Sequence, residues 1–191
     1  MYKFIAVILS LMLYSTSAHS SQSNQYLEVD PGSYVFDGYS LNYFRNYPNR
    51  HDYRIGVAIF SFEFPDFIIN SNPDNKGEEW SLRTKQGFDL YVDKFVSRSD
   101  KIEWFVGFIS VYFENELSND SISESRSRFT QISNGLRSGL IWFPFDSDFY
   151  VSPWLAITHN SVIRGDTKIA NKEYSVPVIS PFATLHIGYK F

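Results

Sequence analysis

Apolar and polar residues alternate along most of this chain, and clusters of polar residues interrupt the alternation at intervals. Apolar side chains at every second position predict β-strands with one apolar face, and no stretch shows a convincing helical period. The predicted strands span residues 33–45, 52–64, 81–95, 101–113, 126–143, 148–161 and 173–191. The pattern therefore predicts an all-β protein.

The segments between these strands alternate between short and long after Asp52. The short ones are NYPNRH, SRSD and PFDSD, and the long ones are PDFIINSNPDNKGEE, ENELSNDSISES and VIRGDTKIANK. Bacterial outer-membrane barrels have such short periplasmic turns and longer external loops. We therefore predict an up-and-down antiparallel transmembrane β-barrel.

Such a barrel needs an even number of strands if both chain ends lie on the periplasmic side. We expect the missing first strand, the eighth in total, at about residues 22–29, followed by a turn at Asp30, Pro31 and Gly32. An alternative turn at Asp37 and Gly38 would change the register of the first two strands.

Within the strands, charged residues fall on one parity and apolar residues on the other. Phe88, Leu90 and Val92 would face lipid, for example, as would Trp104, Val106 and Phe108. The expected interior polar network is Arg54, Arg83, Lys85, Asp89, Asp93, Glu103, Arg137 and Lys190. Eight strands enclose a space that side chains fill, so we expect a sealed polar core and no channel. The alternative is a soluble sandwich or lipocalin-like barrel in the periplasm that binds an apolar ligand.

The first residues, MYKFIAVILSLMLYSTSAHS, have the layout of a secretory signal peptide. Lys3 precedes an apolar run from Phe4 to Tyr14, and Thr16 and Ala18 are small residues suited to the cleavage site. The run is shorter than the ~20 apolar residues of a spanning helix. We expect residues 1–18 to be the signal peptide and residues 19–191 to be one exported barrel domain.

The composition of the chain excludes several classes of function. Aromatic residues make up 18% of the chain, a share that the aromatic girdles of a membrane barrel would explain. The chain has no Cys, which excludes thiol catalysis, thiolate metal sites and disulfides. Its net charge of -4 gives no support to nucleic-acid binding.

The chain ends in ATLHIGYKF, in which Leu185, Ile187, Tyr189 and Phe191 share one parity. This ending resembles the C-terminal signal of bacterial outer-membrane proteins, and the resemblance implies recognition by the barrel assembly machinery through those four residues. FPFDSDFYVSPW and SPFATLHIGYKF also look like segments of uncharacterised small outer-membrane β-barrel proteins. The size is similar to that of OmpA-like, OmpX-like and OmpW-like proteins of Gram-negative bacteria, which implies contact with outer-membrane lipid and lipopolysaccharide.

One catalytic candidate stands out. His159, Ser161 and Glu173 resemble, in order and spacing, the His, Ser and Glu of the outer-membrane lipid A deacylase family, which implies an acyl hydrolase. Val162 stands where that family has Asn. At ~2.5 Å of climb per residue, Glu173 would also lie above the ~25 Å apolar band in which acyl chains are cleaved.

The sequence gives weaker evidence for metal-binding and nucleotide-binding sites. Asp74, Glu78 and Glu79 could bind a divalent cation, but their spacing does not fit an EF-hand loop. Nucleotide-binding and zinc-binding spacings are absent from the sequence, so we expect no cofactor and no metal. The favoured interpretation is a non-enzymatic outer-membrane barrel whose external loops have a structural, adhesive or binding role, with the acyl hydrolase and the soluble barrel as alternatives.

Overall fold

The computed structural model describes residues 25–48, 50–122 and 126–191, and the predicted signal peptide lies outside these ranges. Eight strands form a closed antiparallel barrel in which the first strand pairs with the last. They are β1 (Gln25–Val29), β2 (Tyr39–Tyr47), β3 (Arg50–Glu63), β4 (Trp80–Arg98), β5 (Ile102–Asn119), β6 (Arg126–Trp142), β7 (Phe149–Gly165) and β10 (Ile179–Lys190). The predicted eight-stranded up-and-down barrel is confirmed.

The two ends of the barrel differ. At one end, here named the turn end, short connections follow β2, β4 and β6, and β1 and β10 have their chain-terminal ends. At the other, here named the loop end, lie the connections 30–38, 64–79 and 166–178 and the described residues 120–122 that follow β5. These contain two short helices, α1 (Pro31–Val35) and α2 (Asp66–Ile69), and a hairpin of β8 (Lys168–Ile169) with β9 (Lys172–Glu173). No helix in the described part of the chain is long and apolar enough to cross a membrane.

The first predicted strand after the turn, residues 33–45, is only partly correct because its beginning folds as α1. Asp30 caps this helix, and its Oδ1 accepts a hydrogen bond from the Gly32 amide at 2.8 Å. Proline at the first helical position is a known helix-start signal. Asp37 then adopts a left-handed φ of 53°, and Gly38 packs so closely on Ser61 that a Cβ would lie 1.7 Å from its carbonyl oxygen.

The last predicted strand, residues 173–191, is too long. Glu173 belongs to β9, and β10 begins only at Ile179. Two prolines that would lie almost opposite each other by sequence spacing do not pair: Pro153 faces Leu185 and Pro181 faces Ile157. The β6–β7 ladder is interrupted beside Pro153, between the pairs Gly139–Trp154 and Trp142–Val151, as expected where a ladder donor is missing.

Two clusters of buried apolar residues fill the molecule. The larger one lies inside the barrel and is mainly aromatic: Tyr26, Phe44, Phe60, Tyr91, Phe95, Phe105, Phe143, Tyr150 and Trp154 are among its members. The second closes the loop end and consists of Ile69, Trp80, Leu82, Leu117, Phe129, Ile169 and Tyr174. The aromatic content therefore serves the interior as well as the outer wall.

Candidate functional site: a charged interior, an apolar wall and a basic patch

The outer wall of the barrel carries a belt of exposed apolar side chains, here named the apolar belt. Its members include Ile55, Val57, Ile59, Phe88, Leu90, Val92, Trp104, Val106, Phe108, Leu136, Leu155, Ile157, Leu185 and Ile187, each exposed by 41–72%. They belong to six of the eight strands, so the belt runs around most of the wall. Tyr189 and Phe191 continue it at the turn end, where Tyr189 packs edge-on against Phe149 with ring centroids 5.1 Å apart.

The interior holds a network of buried ion pairs. Arg54 donates from Nε to Asp93 Oδ2 at 2.8 Å and from Nη1 to Glu28 Oε1 at 3.3 Å. Arg137 Nε lies 3.3 Å from the second Asp93 oxygen. All four side chains have no exposed surface, so each charge depends on its partners for stabilisation.

Aromatic rings surround both buried guanidinium groups. Arg137 lies 4.3 Å from the Trp154 ring centroid and 4.4 Å from that of Tyr91. Arg54 lies 4.1 Å from the Phe44 ring centroid. Such contacts stabilise a cation where water is excluded. The middle of the barrel is therefore packed with buried aromatic and charged side chains.

Glu28 connects the network to three other strands, a role that sequence patterns alone did not reveal. It accepts hydrogen bonds from Tyr150 Oη at 2.9 Å and from Arg54, and His186 Nδ1 lies 2.7 Å from its second oxygen. Because Trp154 Nε1 donates to His186 Nε2 at 3.3 Å, the imidazole proton belongs on Nδ1 and points to Glu28. Because β1 is short and polar, its apolar–polar alternation is too weak to place Glu28 inside the barrel.

Six of the eight residues expected inside do lie inside: Arg54, Asp89, Asp93, Glu103, Arg137 and Lys190. Glu103 closes the turn end by pairing with Arg98 at 2.8 Å and with Lys190 at 3.3 Å. The prediction is wrong for Arg83 and Lys85, which lie on the outer wall. A bulge between Thr84 and Gln86 adds one residue to β4 and reverses the parity of every residue on its loop side.

The bulge also brings Lys85 to a basic patch on the outer wall, which is defined by Lys85, Arg126, Arg128 and the carboxylate they surround, Glu116. Arg126 Nη1 and Arg128 Nη2 each lie 2.9 Å from a Glu116 oxygen, and Lys85 Nζ lies 3.9 Å away. The Glu116 side chain is 9% exposed, whereas those of Arg126 and Arg128 are 68% and 78% exposed. The patch presents more positive than negative charge to its surroundings.

Two long connections form a cap over the loop end. Asn75 holds both main-chain groups of Ser175, donating from Nδ2 to its carbonyl at 2.9 Å and accepting from its amide at 2.9 Å. Below them the Trp80 and Tyr174 rings meet edge-on at 5.8 Å. Burial raises the pKa of Tyr174 to about 12. The cap is an ordered part of the fold that shields the interior at this end.

The structure does not assemble the catalytic candidate. His159 and Ser161 are exposed on β7, whereas Glu173 lies in the β8–β9 hairpin and pairs with Lys168 at 3.2 Å. His159 faces Ile179 of β10 and Ser161 faces Ile132 of β6, whereas Glu173 faces Lys168 in the hairpin. A nucleophile and its base need a hydrogen bond or a contact close to one, so this geometry gives no support to an acyl hydrolase.

The acidic loop candidate is dispersed in the same way. Asp74 contacts Ser175 Oγ at 3.3 Å, and Glu78 pairs with Lys172 at 3.1 Å. Glu79 has a left-handed φ of 61° in the turn before β4. Within the described ranges, no group of three or more His, Cys, Asp or Glu side chains could hold a metal ion.

Comparisons with known proteins add a fold-level likeness only. No family model matches the chain, and no curated protein matches it. Among solved structures, the chain is similar to neisserial surface protein A, with a TM-score of 0.46 and 13% sequence identity. The match covers 88% of this chain and 94% of the other.

Proposed function

We propose that this chain is an integral β-barrel of the bacterial outer membrane with a closed interior, and that its role is structural or binding and lies at the loop end and the adjoining wall. The observation that carries the proposal is the apolar belt, with charges sorted to the inside. A water-soluble barrel has the opposite arrangement, because its apolar side chains form the core and its charged side chains face solvent.

The extent of the belt favours lipid over water. Large contiguous apolar patches are rare on soluble monomers and mark contact with a partner or a membrane. Here the exposed apolar residues occupy adjacent strands from β3 to β7 and continue on β10. This distribution fits lipid on most sides of the barrel better than it fits one docked protein. A soluble ligand-binding barrel would also need internal space where Arg54, Arg137 and their aromatic neighbours are packed.

The proposed orientation places the turn end in the periplasm and the loop end outside the cell, following the asymmetry of outer-membrane barrels. Residues 1–18 would direct export, and the barrel assembly machinery and outer-leaflet lipids would be the partners during and after insertion. We expect no ion conduction, since an open path would separate the buried charges of Arg54 and Asp93.

Membrane fractionation followed by gel electrophoresis with and without boiling tests this proposal. We expect the protein in the outer-membrane fraction, with a faster-migrating folded form that disappears on boiling. Purified protein in planar bilayers should show no stable conductance steps. Recovery from the soluble periplasmic fraction, with no mobility change on heating, would refute the membrane assignment.

A variant of the buried ion pair tests insertion of the barrel and absence of conductance separately. Replacing both members of the Arg54–Asp93 pair, as Arg54→Met with Asp93→Leu, removes one positive and one negative charge and leaves Glu28 and Arg137 as a balanced buried pair of charges, so the barrel should still insert and still not conduct. The control is the unaltered protein in the same bilayers. Regular conductance in the unaltered protein would contradict the closed interior while leaving the membrane assignment intact.

A further inference from the structure

We propose that the basic patch on the outer wall binds the phosphate of a phosphorylated glycolipid of the outer leaflet, the lipid A class. This inference rests on the proposed membrane location and names a partner of that wall. Its occupant is an amphiphile whose acyl chains lie on the apolar belt and whose phosphate reaches Lys85, Arg126 and Arg128.

The position of the patch is the first argument. Along β5, Phe108 belongs to the apolar belt, Tyr112 marks its upper border, and Glu116 follows four residues later on the same face. With about 2.5 Å of climb per residue in a tilted strand, Glu116 lies roughly 10 Å beyond Tyr112. This is the depth at which lipid headgroups replace acyl chains. The Tyr112 ring packs near Phe88 at 6.3 Å, which gives an acyl chain an aromatic floor directly below the patch.

The charge balance is the second argument. Three cations surround Glu116, and Glu114 on the same face of β5 is the next anion, so the local excess is one positive charge. Arg128 binds Glu116 through Nε and Nη2, and Arg126 binds it through Nη1. Each guanidinium retains further N–H donors on its exposed side, and such donors suit the oxygens of a phosphate. Glu116 occupies Nη1 of Arg126 and Nε and Nη2 of Arg128 in the absence of a lipid and competes with a phosphate for them.

A groove beside the patch is the third argument. It has a volume of about 250 Å³, and Arg83, Lys85, Arg126, Ser81 and Ser118 line it together with Glu63, Leu82 and Glu116. Arg83 is tied to Asp37 at 2.8 Å and contributes little free charge. Hydroxyl donors from two serines next to exposed guanidinium groups fit a phosphorylated sugar headgroup better than they fit an apolar ligand.

The neighbouring strands provide an internal contrast. On β7 and β10, the next strands after β6, the outward residues include His159, Ser161 and Ile179, and the nearest cation of β7 is Arg164, opposite Thr130. General attraction of a barrel to an anionic membrane would not require the cations to collect on β4 and β6. The one-sided placement favours a defined lipid contact.

The test measures how much lipid A remains on the purified, folded barrel after detergent exchange, by native mass spectrometry. The probes are lipid A with both phosphates, the same lipid A after enzymatic dephosphorylation, and inorganic phosphate alone. The patch variant is Lys85→Gln, Arg126→Gln and Arg128→Gln combined. The control variant carries the same charge loss at the turn end, as Arg50→Gln, Lys94→Gln and Lys101→Gln.

We expect phosphorylated lipid A to be retained by the unaltered protein and the control, and its apparent affinity to fall about tenfold or more in the patch variant. Removing the phosphates from the lipid should cause a similar loss. Glu116→Gln should raise the affinity severalfold, because it removes the anion that competes for the same cations. A residue with a purely structural role in the wall would not produce that increase.

Equal retention by the patch variant, or equal retention of dephosphorylated lipid A, would overturn the inference. Inorganic phosphate binding as tightly as lipid A would also overturn it, by assigning the patch to a free anion. Each variant is first checked for the heat-dependent gel shift, which confirms a folded barrel. Failure of the proposed function appears separately, as absence of the unaltered protein from the outer membrane.

Discussion

Arg54 inside the barrel and Arg128 on its outer wall each hold a carboxylate in nearly the same geometry. Arg54 Nε lies 2.8 Å from Asp93, and Arg128 Nη2 lies 2.9 Å from Glu116. Their surroundings differ, since the first pair has no exposed surface and the Arg128 side chain is 78% exposed. A similar distance therefore has a different energetic meaning in the two places.

Inside, every charge has been removed from water, and its stability depends on an opposite charge that cannot leave. If one partner is lost, the other remains buried without an opposite charge and without water to solvate it. On the wall, solvent or headgroups can replace a lost partner, so the pair itself contributes little. The interior pair is suited to holding strands together, and the exterior pair is suited to exchanging one anion for another.

The largest effect is expected from Arg54→Met. The change leaves Asp93 and Glu28 buried without their main cation, and we expect the free energy of unfolding to fall by about 3–5 kcal/mol. Urea unfolding of the protein folded in lipid vesicles, followed by the heat-dependent gel shift, measures it. The double variant with Asp93→Asn should recover part of the loss, because it removes one of the stranded charges.

A loss below about 1 kcal/mol for Arg54→Met would contradict the comparison, since that is the range of an exposed pair. Failure of the double variant to recover any stability would show that Asp93 is not the group left stranded. Arg137→Met provides a related check, because Arg137 approaches the other Asp93 oxygen at 3.3 Å and should also destabilise the barrel.

Tyr174 extends the comparison to a buried group that becomes charged only at high pH. It lies under the cap, and burial raises its pKa to about 12. In an open cap the phenol would lose its proton near pH 10. The closed cap therefore has its full stability advantage below pH 10 and loses it as the pH rises towards 12, because burial disfavours the charged tyrosinate.

A spectroscopic titration checks this prediction. The absorbance of tyrosinate is followed in the unaltered protein and in Tyr174→Phe, and the difference isolates Tyr174 from the other tyrosines. We expect a midpoint near pH 12 in the difference curve. A midpoint near pH 10 would show that Tyr174 is exposed to solvent and that the cap does not shield the barrel end.

Strand number and the sorting of charge could be predicted from alternation, because period-two patterning reflects which face is buried. The same reasoning failed for Arg83 and Lys85, since the bulge at Lys85 reverses parity and the local sequence TKQG contains no distinctive signal for it. The error for Lys85 hides its part in the basic patch, whose other members, Arg126, Arg128 and Glu116, lie on β5 and β6.

Other differences have separate physical causes. Asp30 and Pro31 are a recognisable helix-start signal. The same residues also predict a turn, and the helix that follows is too short for the sequence to favour it. Glu28 could not be recognised as central to the interior, since its importance arises from Tyr150 and His186 on strands distant in sequence. The cap depends on similar distant contacts, such as that of Asn75 with Ser175.

The smallest effect on stability is expected from Arg128→Met, and this variant sharpens the comparison most. Arg126 and Lys85 remain beside Glu116, so the free energy of unfolding should change by less than about 1 kcal/mol in the assay used for Arg54→Met. Retention of phosphorylated lipid A should nevertheless decrease, because a donor on the exposed side is lost. A destabilisation as large as that of Arg54→Met would mean that the patch holds the wall together, and its excess charge would then need a structural explanation in place of a ligand.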